Sequence, residues 1–156
     1  MSEHFQPSEF ESKDGQSSPW PEVVDPGLYF LLEEIRADFG EPIYVNSGYR
    51  SPEHNRKIGG APNSFHVKGQ AADIRPTRYR DTDKWNKALG RLKIIANRRC
   101  TGGVGFYPTF VHVDLGPVNE PNQCSENRGG LCRPCFFLLD WCPARAGIGG
   151  IKKCKA

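Results

Sequence analysis

No apolar run in the 156-residue sequence approaches the ~18 residues that a membrane-crossing helix needs, so no membrane span is expected. The start, Met1-Ser2-Glu3-His4-Phe5, has neither a basic opening nor an apolar stretch behind it. No secretory signal is read there, and synthesis in the cytoplasm is expected, with any exit needing another route. Net charge is low as well: a formal +3 is too small to indicate a nucleic-acid partner. Cysteine is scarce until the end, where five of the six crowd into the last 33 residues.

What is present suits one globular domain. Apolar residues make up 37% and aromatics 11%, enough for a single core, while 13 prolines and 17 glycines imply many loops. Charge is uneven: residues 1–25 carry one Lys against six acids, and residues 119–156 carry six Lys/Arg against three acids. The expected division is a domain over 1–118, opening with an irregular arm over 1–22, and a Cys-rich basic extension over 119–156 of unknown role. A basic tail suits an anionic surface such as a cell wall, or simply solubilises. Within it Cys132-Arg133-Pro134-Cys135 has the gap of a zinc knuckle. Cys124, Cys132, Cys135 and Cys142 are therefore candidates for a second, structural zinc, with disulfides or a reduced extension as alternatives.

In the arm, Phe5, Phe10 and Trp20 are expected to anchor an otherwise polar segment. Asp25-Pro26 is a helix start, a capping residue followed by proline at the first helical position. Leu28, Leu31, Leu32, Ile35 and Phe39 repeat as one apolar helical face, closed by Gly40 and Pro42. A strand is expected over 42–46, a short helix from about Pro52, and a strand over 71–75. A second long helix starts at Asp81 or Thr82, with Trp85, Leu89, Leu92 and Ile95 as its buried stripe. Two strands, 102–107 and 110–114, meet at Pro108-Thr109. Helices early and between strands, with hairpin pairing late, predict an α+β fold with a small antiparallel sheet packed against helices.

The chemistry gathers in Ser64-Phe65-His66-Val67-Lys68-Gly69-Gln70-Ala71-Ala72-Asp73 and in Phe110-Val111-His112-Val113-Asp114. A histidine leaving a loop and an aspartate entering a strand at this separation can converge on one cation. His112 projects from a neighbouring strand. Two imidazoles and one carboxylate suit Zn²⁺, and a fourth position left open makes such a site catalytic rather than structural.

Other stretches extend the pattern: Asn46-Ser47-Gly48-Tyr49-Arg50-Ser51-Pro52-Glu53-His54-Asn55, Gly59-Gly60-Ala61, and Gly102-Gly103-Val104-Gly105-Phe106-Tyr107-Pro108. With the His66–Asp73 and His112 segments they resemble, in order, the zinc D-Ala-D-Ala carboxypeptidase family. That group comprises bacterial and phage peptidoglycan peptidases and shares its fold with the hedgehog signalling domain. The resemblance covers residues from about 5 to 117. It implies a zinc ion in a cleft held by His66, Asp73 and His112, and hydrolysis of an amide bond in the peptidoglycan stem peptide; separately, the chain is expected to act as a monomer. The bond is one cut by a D-Ala-D-Ala carboxypeptidase or by an endopeptidase, and release at lysis is the route out for phage members.

By the same resemblance Arg50 faces the site and pairs with a substrate carboxylate or an oxyanion, the other reading being a salt bridge to Glu53 or Asp73. Ser64 is expected to hydrogen-bond substrate, or else to cap its own loop. His54 and Tyr107 are lesser candidates for substrate contact or proton donation. The best-known relatives place an acid shortly before the last histidine ligand, and residues 107–111 here hold none. Asp114, on the same strand face as His112, is then the candidate base or the residue that orients a ligand. The competing functions are a hedgehog-like zinc module that recognises wall peptide or protein without turnover, and a structural phage or wall component.

Overall fold

Helix α1 (Pro26–Phe39) begins where the Asp25 carboxylate accepts the Gly27 N–H at 2.9 Å, with proline in the first turn. It ends at Gly40, whose φ of 72° is the left-handed cap conformation that glycine adopts without strain. The computed structural model describes residues 2–117. The extension, with Cys124, Cys132, Cys135 and Cys142, lies outside the described residues. The remaining elements are a 3-10 turn in the arm (Pro7–Phe10), β1 (Ile43–Ser47), α2 (Pro52–Lys57), β2 (Ala71–Pro76), α3 (Thr82–Arg99), β3 (Val104–Phe106) and β4 (Val111–Asp114).

The expected elements are all present, with ends displaced by one or two residues. Asp81 caps α3 by accepting from the N–H groups of Asp83 and Lys84, and Leu89, Leu92, Ile95 and Ala96 are its buried residues. The four strands form one antiparallel sheet in the order β1-β2-β4-β3. The fold is thus the predicted α+β type.

Period-2 alternation splits the sheet into two faces. Ala72, Ile74, Val111 and Val113 are fully buried on one face and join Leu28, Leu32, Ile35 and Leu92 of the helices in a single core. Each such valine, leucine or isoleucine side chain stabilises by roughly 1.5–3 kcal/mol relative to exposure. The opposite face carries Asp73 and His112.

The polar arm is more deeply built in than its composition suggests. Phe5 and Phe10 are 2% and 0% exposed, and Phe10 meets Tyr29 edge-on at 5.0 Å. Trp20 stays 42% exposed, its ring edge-on to Tyr49 at 5.8 Å. The arm therefore supplies two core residues and one surface aromatic.

Candidate metal centre

Strand register assembles the centre. Asp73 pairs with His112 across β2–β4, Gly105 pairs with His112 across β3–β4, and Ser47 pairs with Asp73 across β1–β2. These four residues form one transverse row, and directly paired residues share a sheet face. Ser47 reaches that row through an irregularity in β1: Val45 pairs with Ile74 and Ser47 with Asp73, so Asn46 is the extra residue. A bulge of this kind re-aims a side chain. His66 joins from the loop before β2, where Gly69, at φ 67°, turns the chain back toward Asp73.

Three donor atoms converge. His66 Nε2 lies 3.2 Å from His112 Nδ1 and 3.3 Å from Asp73 Oδ1, and His112 Nδ1 lies 2.9 Å from Asp73 Oδ1. Bonds of about 2.0–2.1 Å from zinc to nitrogen and oxygen put tetrahedral ligand atoms about 3.3–3.4 Å apart. The donor set and spacing therefore fit zinc with a fourth position left over. Among the described residues this is the one group of His, Cys, Asp and Glu side chains that can hold a metal ion.

Each imidazole is held from behind so that the required nitrogen faces the cluster. His66, 2% exposed, bonds Gly48 O through Nδ1 at 2.7 Å. A carbonyl only accepts, so Nδ1 carries the proton and Nε2 presents a lone pair. His112 is the mirror case: Nε2 meets Asp114 Oδ2 at 3.1 Å, leaving Nδ1 for the cluster. Asp114 is itself fixed, its Oδ1 accepting the N–H groups of Gly103 at 2.9 Å and Gly116 at 2.8 Å. A Cβ on Gly103 would stand 2.4 Å from Asp114 Oδ2, so only glycine leaves room there.

The ionisation follows from these contacts. Burial pushes His66 below its ordinary value, against the opposing pull of Asp73, and keeps it neutral. Burial also opposes charge on His112, but Asp114 and Asp73 outweigh it and raise its pKa to about 9, so without a metal Nδ1 holds a proton toward Asp73 that zinc would displace on binding. Asp73 would be raised by burial, yet His112 and His66 hold it well below the carboxylate range. Asp114 is likewise lowered, by His112 and the two backbone N–H groups, against the cost of burial.

The other sequence candidates are placed as follows. Arg50 donates from Nη2 to Asp73 Oδ2 at 2.5 Å and from Nε to Ser47 Oγ at 2.9 Å, so it sits behind the cluster on a would-be ligand. Ser64 Oγ accepts the His66 N–H at 3.3 Å, the loop-capping arrangement. Tyr107 stacks on Phe110 at 4.3 Å, and its ring edge would lie 3.0 Å from a Cβ on Gly105, beside His112. It therefore borders the site face, 38% exposed. His54 lies in α2 with its backbone N–H on Ser51 Oγ, and its ring makes no hydrogen bond to the cluster. Sequence reasoning did not single out Ser47, the Gly48 carbonyl or the Gly103–Gly116 cradle. The Ser-Gly and Gly-Gly pairs were the available signals.

Comparison with known proteins gives a consistent picture. The family model described as Peptidase M15 matches residues 3–114. Peptidoglycan L,D-endopeptidase MepK of Escherichia coli (strain K12) is 36% identical over 106 residues, covering 62% of this chain and 54% of that protein. Probable peptidoglycan L,D-endopeptidase MepK of Haemophilus influenzae is 37% identical over 105 residues, 61% of this chain and 52% of that protein. Zinc D-Ala-D-Ala carboxypeptidase of Streptomyces albus G is 48% identical over 44 residues, 28% of this chain and 17% of that protein. The chain spans about half the length of the MepK relatives it matches.

Proposed function

The chain belongs to the peptidase M15 family, and from that premise we propose that it is a zinc-dependent hydrolase of amide bonds in peptidoglycan stem peptides. The observation that carries the reading is the convergence of His66 Nε2, Asp73 Oδ1 and His112 Nδ1 at near-tetrahedral spacing on the sheet face opposite the core. Zinc held there supplies a Lewis acid that polarises a carbonyl and activates water near neutral pH. All three candidate ligands come from one chain, in keeping with a monomer. We take residues 1–118 as the catalytic domain and 119–156 as an extension.

The chain's own residues have separable tasks. Asp114 has both oxygens engaged, by His112 and by two backbone N–H groups, which favours orienting His112 over acting as a base. Arg50 neutralises the outer oxygen of Asp73 and, through Ser47, ties β1 to the centre. Its guanidinium fork matches two acceptors at once. Tyr107 offers a half-exposed ring beside His112 for the substrate chain. Ser64 shapes the loop that delivers His66.

The longer matched stretch is shared with proteins named as L,D-endopeptidases, 106 residues against 44 for the carboxypeptidase. This favours cleavage of an L,D bond within the stem over removal of a terminal D-alanine, and the place of action is then the cell wall. Among the described residues no helix is long and apolar enough to cross a membrane. The test is mass spectrometry of purified muropeptides incubated with the zinc-loaded full chain. A stem split at an L,D bond is expected. Loss of one alanine would make it a carboxypeptidase. Intact muropeptides with zinc bound would overturn the peptidase reading in favour of a zinc module that binds without turnover.

A further inference from the structure

One peptide unit links the N-terminal arm to the candidate metal centre. The carbonyl of Gly48 accepts from His66 Nδ1 at 2.7 Å, and the N–H of the same peptide unit, that of Tyr49, donates to Phe10 O at 2.8 Å. The plane of that unit is fixed from one side by the arm and read on the other by the imidazole. Phe10 is wholly buried, and Gly48 lets it approach: a Cβ on Gly48 would stand 2.6 Å from Phe10 Cα. Backbone lies on both sides of that contact, so no side-chain rotation relieves it.

The same arm holds its surroundings in place. Ser12 Oγ accepts the Ser51 N–H at 3.0 Å, and the Asp14 carboxylate receives Ser12 Oγ–H at 2.6 Å and the Ser51 hydroxyl at 2.5 Å. Next to Gly48, the Arg50 N–H donates to His66 O at 3.1 Å. Within the His66–Asp73 segment, the N–H of Asp25, just past the arm, donates to Gly69 O at 2.8 Å, and a Cβ on Gly69 would meet Trp20 at 3.2 Å and Val24 at 3.3 Å.

We infer that Phe10 is a positioning residue for the metal centre: it sets the Gly48–Tyr49 peptide, which fixes the tautomer and direction of His66. Hydrogen bonds in such a chain polarise one another, so the Phe10 carbonyl also strengthens the Gly48 acceptor. The arm is then a working part of the centre. Removing an outer partner of a metal-binding histidine typically weakens the metal by 10–100-fold. The inference rests on the reading of His66 as a zinc ligand.

The experiment compares Phe10→Ala, Phe10→Leu and Phe39→Ala in the full chain. Phe39 is a buried core residue at the far end of α1 and serves as a control for lost packing. Zinc affinity is read by chelator competition, and the His66 tautomer in the zinc-free protein by ¹⁵N–¹H correlation of its ring. Phe10→Ala keeps the main-chain carbonyl but removes the buried ring that anchors it, and should weaken zinc about tenfold and shift the Nδ1–H signature as the Gly48–Tyr49 peptide loosens. Phe10→Leu should restore both, and Phe39→Ala should lower thermal stability while leaving both unchanged. Equal zinc affinity in Phe10→Ala and the parent, or equal losses in Phe10→Ala and Phe39→Ala, would overturn the positioning role. A His66→Ala chain that binds zinc as the parent does would instead sink the ligand reading on which it rests.

Discussion

Asp73 and His112 face each other directly across the β2–β4 ladder, with Oδ1 of one 2.9 Å from Nδ1 of the other. Antiparallel register, rather than any loop conformation, places these two donors together. Two of the three donors are therefore held by the sheet itself, and His66 is the one member delivered by a loop.

Replacing members of the trio should separate ligand loss from unfolding. His66→Ala and His112→Ala are each expected to fall from about one zinc per chain to near none, with the circular dichroism spectrum retained. Zinc content measured on gel-filtered protein decides this. Full zinc in either variant would remove that residue from the ligand set.

Asp114→Asn should weaken zinc by about 10–100-fold with little loss of stability. Its amide oxygen can still accept from Gly103 and Gly116, but the amide N–H₂ then faces His112 Nε2. Two donors cannot meet, so the imidazole shifts its proton to Nδ1, the nitrogen the metal needs. Asp114→Ala should additionally destabilise by about 1–3 kcal/mol for each backbone N–H left unpaired. If Asp114→Asn keeps parental zinc affinity and loses only turnover, Asp114 acts as the base after all.

Arg50→Lys keeps the charge but not the geometry. A single ammonium cannot reproduce the planar fork that serves Asp73 Oδ2 and Ser47 Oγ together. One charge-assisted hydrogen bond is worth about 1.5–3 kcal/mol, so roughly a tenfold or greater fall in kcat/KM on muropeptides is expected. Unchanged kcat/KM would reduce Arg50 to a bystander.

Acid stability provides an independent test of the arm. Hydrogen bonds from Ser12 and then Ser51 lower the Asp14 pKa to about 2. A folded pKa below the unfolded value means the stabilisation is fully present above the unfolded pKa of about 4 and is lost as pH falls through about 2. The Tm of Asp14→Asn should thus sit below the parent at pH 6, with the gap closing between pH 4 and 2. A gap that stays constant over that window would show that the Asp14 charge contributes nothing.

Local pattern carried much of the architecture. The apolar repeat from Leu28 to Phe39, the caps at Asp25 and Asp81, and the alternation through Val111–Asp114 are short-range signals, because helix and strand periods are set within a few residues. The His66–Asp73 spacing and the strand position of His112 were legible for the same reason, as was the shared face of His112 and Asp114. Tertiary structure decided what lies behind those residues. Which imidazole nitrogen faces the cluster depends on Gly48 O and Asp114, and the glycine cradle exists only once β4 and its flanks have closed. The Asn46 bulge that brings Ser47 into line with Asp73 leaves no mark on composition. Phe5 and Phe10 were legible as anchors and a salt bridge was one reading of Arg50, but where the rings seat, and that the bridge goes to Asp73 rather than Glu53, depend on contacts between distant residues. Sequence spacing determines faces and periods, whereas hydrogen-bond partners far apart in the chain are chosen by packing.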